Sequence, residues 1–213
     1  KLQPFEDRLS AELDIDIGEA LVELDTQRAT IRTMESGFAN LIADAIRNAT
    51  GAEIGLTNGG GIRGNRLYEA GHVLTRRDVL SELPFGNTTV LVELSGADLM
   101  AALENGVSQV EEGAGRFPRV SGLRLTYDAG QPAGARVTEV LVGEAPLDLA
   151  ATYAVATNDY MLGGGDGYAS LGNGEVLIDG AAGTLMANTV MNYITALGGK
   201  VDQVAEGRVT RLN

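Results

Sequence analysis

The 213-residue chain sets 16 Lys and Arg against 29 Asp and Glu, and its formal net charge of −13 excludes the polyanion-binding surface that nucleic acid requires. With 44% hydrophobic and 21% charged residues it has a globular balance, with apolar material for one domain and a real core. No apolar run approaches the ~20 residues that cross a bilayer as a helix, and the absence of cysteine excludes disulfide and thiolate chemistry.

The chain opens on Lys1 with neither Met nor a signal peptide, which suggests a piece of something longer. Phe5, Leu9 and Leu13 carry weak helical spacing, and Ile15 to Leu24 reads as extended. Phe38, Leu41, Ile42, Ala45, Ile46 and Ala49 fall at helical intervals, with Ser36 as the N-cap and Gly51 as the stop. Glu53 to Thr57 is a short buried strand running into Asn58-Gly59-Gly60-Gly61-Ile62-Arg63. Thr75 and Asp78 form a capping box opening a helix through Leu80, and Leu83 to Asn87 is a turn punctuated by Pro84 and Gly86. Thr89 to Leu94 is a strand, Ser95 caps a helix to about Val110, and Glu111 to Gly115 is a loop. Leu123 to Tyr127, Val137 to Val142 and Tyr153 to Thr157 read as strands, Asp179 to Leu197 as a helix, and Arg208 to Leu212 as a last strand.

Two glycine clusters, 59–61 and 163–167, hold the chemistry. In the first, three glycines let a ligand approach the backbone closely, between a side-chain amide at Asn58 and a donor fork at Arg63 that matches phosphate or carboxylate. A structural turn with a solvated arginine is the alternative reading. Gly59, Gly61 and Gly64 formally satisfy G-x-G-x-x-G, but residues 64–71 lack the apolar period of the helix a dinucleotide fold needs. No Gly-Lys-Ser/Thr supports a P-loop, and a single glycine-rich copy at 163–167 is no calcium repeat. That second cluster instead holds the Asp166 carboxylate towards something with hydroxyls, such as a ribose. Phe85 and Tyr160 stand in turns of a chain with 5% aromatic residues. Core packing accounts for either ring singly. Together the rings offer a base a stack worth ~1–3 kcal/mol, and a charge-assisted hydrogen bond adds ~1.5–3 kcal/mol.

His72 is the single histidine, too few for an imidazole-rich two-metal site or a convincing Ser-His-Asp triad, and reads as a surface residue. The residues point to binding rather than cleavage.

Glu35-Ser36 through Ala45, Thr57 to Arg63, Leu83 to Asn87, and Asn158 to Tyr168 follow one another in an order that resembles the C-terminal domain of the 5′-nucleotidase family. The resemblance runs from about Ile15 to Leu212. It implies an α/β domain (α+β type) of four layers, α/β/β/α, occupying 15–213, with 1–14 as the end of an interdomain linker helix. It further implies that this domain takes the nucleoside part of a substrate, with Phe85 and Tyr160 around the base, Asp166 on the ribose hydroxyls, Asn58 and the Gly61 backbone on base or sugar, and Arg63 towards phosphate. The resemblance places the catalytic residues and a divalent metal pair (Zn, Mn or similar) in a separate N-terminal metallophosphoesterase domain, so that this chain itself carries no catalytic residue, metal ligand or cofactor. The implied partners are a nucleoside or nucleotide and that N-terminal domain, with no nucleic acid and no membrane span. The implied parent is a periplasmic or secreted hydrolase, a 5′-nucleotidase or 2′,3′-cyclic phosphodiesterase. One departure is Met34, where some members carry a second phosphate-facing arginine; Arg32 lies two residues away and would point differently on a strand. A stand-alone binding or scaffolding module that kept the fold and lost the nucleotide is the alternative.

Overall fold

The computed structural model describes residues 10–213. Residues 10–13 are helical, and the rest of the expected linker helix, with Phe5 and Leu9, lies outside the described residues.

A five-stranded sheet runs in the spatial order Glu175–Ile178, Thr89–Ser95, Thr152–Asn158, Ile54–Asn58, Pro118–Ser121. Its two middle strands, Thr152–Asn158 and Ile54–Asn58, are parallel, and the other pairs are antiparallel. Asn58 and Asn158 therefore end side by side. The antiparallel register sets Thr89 opposite Asn158 and Pro118 opposite Asn58, so the loops entering those two strands arrive at the same edge. Four loops thus gather at the carboxyl ends of two parallel strands, the place where open α/β sheets hold ligands.

Alternation along the strands buries both faces of this sheet. Ala156 packs into one core with Phe38, Leu41, Val190 and Ile194, from the helices Gly37–Thr50 and Met186–Ala196. Val155 packs into the other with Leu99, Leu103, Leu125 and Val140, from the helix Gly96–Val107 and a four-stranded sheet built on Leu123–Tyr127. The mixed α/β class expected from the sequence is what is found. A three-stranded sheet centred on Asp16–Ala20 and a pair, Leu24–Asp25 with Leu67–Tyr68, complete the fold.

The Gly37–Thr50 helix follows its apolar spacing and ends at Gly51 in the left-handed region (φ 66°). Ser36 stands at its N-cap position, but the hydroxyl donates to the Asp25 carbonyl at 2.5 Å instead of capping. Both partners of the Thr75–Asp78 capping box are in place at the start of the Arg76–Glu82 helix. The helix expected from Asp179 begins only at Met186, because the Asp179 carboxylate accepts the amides of Ala181 and Ala182 in a tight turn and Gly183 lies directly under the Thr89 carbonyl. The helix after Ser95 stops at Val107 rather than Val110, and a separate 3₁₀ turn takes Val110–Glu112. The strands Pro118–Ser121 and Glu175–Ile178 are not legible as such in the sequence.

Candidate functional site

Asn58 leaves its strand with its side chain buried, and the amide is held from both ends. Its Oδ1 accepts from Asn158 Nδ2 at 3.2 Å, and its Nδ2 donates to Asp166 Oδ2 at 2.6 Å. Asn158 in turn caps the Asp159–Leu162 turn, accepting from the Met161 amide at 2.8 Å. The two strand-end amides thus carry the position of the sheet directly to a carboxylate on a loop. Gly60 belongs to a 3₁₀ turn whose backbone touches the facing loop: its amide donates to the Gly115 carbonyl at 2.7 Å, and a Cβ there would stand 2.9 Å from Gly115 Cα.

Asp166 is a non-glycine residue in the left-handed region (φ 54°, ψ 23°), a conformation that costs roughly 1–2 kcal/mol and persists where the surroundings impose it. Three contacts impose it here: Tyr160 Oη donates to Asp166 Oδ1 at 3.0 Å, the Asp166 amide donates to Tyr160 Oη at 3.2 Å, and Asn105 Nδ2 donates to the Asp166 carbonyl at 3.1 Å. Burial, followed by the Asp166 carboxylate, raises the Tyr160 pKa above its ordinary value, so the hydroxyl stays a donor. Both oxygens of Asp166 already take a donor, and each keeps room for another.

Across the hollow, Phe85 is 58% exposed in the turn after the Arg76–Glu82 helix, and Tyr160 is 48% exposed. The Arg63 guanidinium lies over the Phe85 ring, 5.4 Å from its centroid. A second guanidinium enters where the strand argument did not place it. Arg32 follows a single helical turn, Arg28–Ile31, rather than lying on a strand; this geometry turns it into the cavity while Met34 is exposed. Its Nη1 donates to the Gly113 carbonyl at 3.2 Å. Burial, then the charges of Arg28 and Arg63, lower the Arg32 pKa, with Asp166 opposing. Cations crowded in this way are relieved by an anion between them.

Asn58, Gly61, Arg63, Phe85, Tyr160 and Asp166 all line one open cavity of about 490 Å³, and Arg32 joins them. A neighbouring, more apolar cavity of about 290 Å³ shares Phe85 and Asn58 and extends towards Leu83 and Met186. Asn87 and Gly115, which also line the larger cavity, carry no signal in the sequence beyond their turns. His72 is not simply a surface residue: its ring packs edge-on against Tyr68 and its Nε2 lies 3.2 Å from Asp78. Among the described residues no group of three His, Cys, Asp or Glu side chains could hold a metal ion. No helix among them is long and apolar enough to cross a membrane.

Residues 16–173 match the family described as 5′-nucleotidase, C-terminal domain. The trifunctional nucleotide phosphoesterase protein YfkN of Bacillus subtilis is 37% identical over an alignment covering 98% of this chain and 15% of that protein. A snake venom 5′-nucleotidase of Macrovipera lebetinus is 32% identical over 93% of this chain and 52% of its own. Among solved structures, a 5′-nucleotidase precursor from Thermus thermophilus superposes on the whole chain with a TM-score of 0.90 at 41% identity, over 42% of its own length. The NAD nucleotidase of Haemophilus influenzae shares the fold at a TM-score of 0.81 and 21% identity. The chain thus spans between 15% and about half of these curated relatives. It belongs to the 5′-nucleotidase C-terminal domain family.

Proposed function

We propose that the 490 Å³ cavity is the nucleoside and nucleotide recognition site of a two-domain phosphohydrolase. The base stacks between Phe85 and Tyr160, the ribose hydroxyls donate to Asp166, and Asn58 and the Gly61 backbone contact base or sugar. Arg63 and Arg32 take the phosphate. The observation that carries this reading is the convergence of two exposed rings, one carboxylate and two guanidinia on a single hollow at the carboxyl ends of parallel strands. A base stack worth ~1–3 kcal/mol and charge-assisted contacts of ~1.5–3 kcal/mol each suffice for micromolar affinity.

The hydrolytic step belongs to an N-terminal metallophosphoesterase domain of the same polypeptide, where a divalent metal pair, when bound, would supply the chemistry of hydrolysis. The parent acts on nucleoside phosphates outside the cytoplasm, in the periplasm or as a secreted protein. Residues 15–213 form the recognition domain and the segment before them the end of the interdomain linker. Isothermal titration of this chain with adenosine and adenosine 5′-monophosphate tests the site. Micromolar binding of both, weakened in Phe85→Ala by about 5-fold to 150-fold (~1–3 kcal/mol), is expected. No heat with either ligand, or unchanged affinity in the variant, overturns it.

A further inference from the structure

Arg119 is the largest fully buried side chain among the described residues, and it makes no ion pair there. Burial pushes its pKa down to about 9, against the pull of the nearby Glu35, which leaves it a cation at neutral pH. Glu35 itself is committed elsewhere, to the amides of Glu206, Gly207 and Arg208 and to Asn40 Nδ2. The Arg119 guanidinium lies 4.9 Å from the Phe117 ring centroid, and its Nε has no hydrogen-bond partner among the described residues. An apolar side chain fills such a place with less desolvation. What the guanidinium does there is grip two carbonyls: Nη1 donates to Met34 O at 2.5 Å and Nη2 to Thr30 O at 3.2 Å.

Those two carbonyls stand two residues before and two after Arg32. The Arg28–Ile31 turn is four residues long, far below the length at which a helix holds itself, so its orientation is imposed from outside. We propose that Arg119 is a positioning residue for anion recognition: from beneath, it fixes the Thr30–Met34 segment and so aims the Arg32 guanidinium into the cavity. The inference rests on the reading of that cavity as a nucleotide site. It also gives position 34 a function that its side chain does not disclose, because Met34 acts through its carbonyl oxygen.

The test is calorimetric titration of wild type, Arg119→Lys, Arg32→Ala and the double variant, each with the four common ribonucleosides and their 5′-monophosphates, alongside circular dichroism. Arg119→Lys keeps the charge and loses the two-carbonyl fork. It is expected to lower affinity for the monophosphate about tenfold while leaving the nucleoside within about twofold, and to add nothing once Arg32 is Ala. Equal losses for both ligands, or additive losses in the double variant, mean that Arg119 only supports the fold and overturn the proposal. Should Arg119→Lys fail to fold, the wild type decides through its arginine Nε resonances. There the monophosphate, unlike the nucleoside, is expected to shift those of both Arg32 and Arg119, and a shift of Arg32 alone overturns the proposal. Wild type that binds no ligand of the panel sinks the site reading and this inference together, whereas binding with an unchanged ratio in the variant sinks this inference alone.

Discussion

Tyr160 has a ring that can stack and a hydroxyl that holds a strained carboxylate, and the two are separable by one oxygen atom. Phenylalanine at this position keeps the face and removes the donor to Asp166 Oδ1 and the acceptor for the Asp166 amide. Tyr160→Phe is therefore expected to weaken a riboside by about 12-fold to 150-fold, the ~1.5–3 kcal/mol of a hydrogen bond to a charged group. A 2′,3′-dideoxy analogue should bind the variant as it binds wild type; calorimetry with the pair reads the difference, and equal loss for both assigns the hydroxyl no part in diol recognition. Gly60 is a second residue where one atom decides. A methyl group there stands 2.9 Å from Gly115 Cα and 3.2 Å from Asp166 Oδ2, and backbone cannot swing away as a side chain can. Gly60→Ala is expected to destabilise the fold by about 1–3 kcal/mol and to abolish nucleoside binding, checked by urea denaturation and by titration on the folded variant.

At the scale of one element, the Arg76–Glu82 helix carries two buried carboxylates one turn apart with opposite pKa shifts. Burial pushes Asp78 up, but the Thr75 amide and hydroxyl, His72 and Arg66 together hold it below the usual range. Burial raises Glu82, and the donors around it, Tyr68, Thr26 and the Gly64 amide, only partly offset that. The signs follow by linkage. Asp78 contributes stability that is present above its unfolded pKa of about 3.9 and is lost as pH falls through its lower folded value. Glu82 contributes stability that is present below its unfolded pKa of about 4.3 and is lost as pH rises through its higher folded value. In urea denaturation across pH 3–7, Asp78→Asn should differ from wild type most at neutral pH and least in acid. Glu82→Gln should be destabilised throughout, since its amide group faces donors, but with the gap largest in acid and shrinking as pH rises. Parallel pH profiles for the two variants contradict the assignment. The capping box that starts this helix is plain in Thr75 and Asp78, because a cap is a local pattern. Glu82 is not, because its donors come from Thr26, Gly64 and Tyr68, and only the tertiary fold brings those together. The same distinction explains the late start of the Met186–Ala196 helix: the sequence reads as helical from Asp179, but a turn set by Asp179 and by contact with Thr88 and Thr89 overrides it.

For the whole molecule, the six candidate residues could be singled out because each sits within three residues of a glycine or proline that marks a turn, and four motifs fix their order. Arg32 escapes the sequence for a specific reason. Its direction depends on whether residues 28–31 coil or extend, and four residues carry too little propensity to say; Arg119, far along the chain, grips the Thr30 and Met34 carbonyls on either side of it. The net charge of −13 also gives no sign of a local cluster of cations in a mostly acidic chain. On the proposed division of labour, this half supplies binding and the metallophosphoesterase half supplies chemistry, and a stack with one charge-assisted contact amounts to ~2.5–6 kcal/mol. Deleting this domain from the parent is therefore expected to lower kcat/KM for a nucleoside monophosphate by about 10²–10⁴. Phenyl phosphate, which has neither base nor diol but keeps the phosphate that Arg63 and Arg32 take, should lose less than the nucleotide does. Adding the isolated chain back in trans should restore little, because linkage in one polypeptide supplies an effective concentration that a free partner lacks. The isolated chain with Zn²⁺ or Mn²⁺ should release no phosphate. Phosphate release followed across these four conditions checks the division, and turnover by the isolated chain, or a nucleotide preference that survives the deletion, contradicts it.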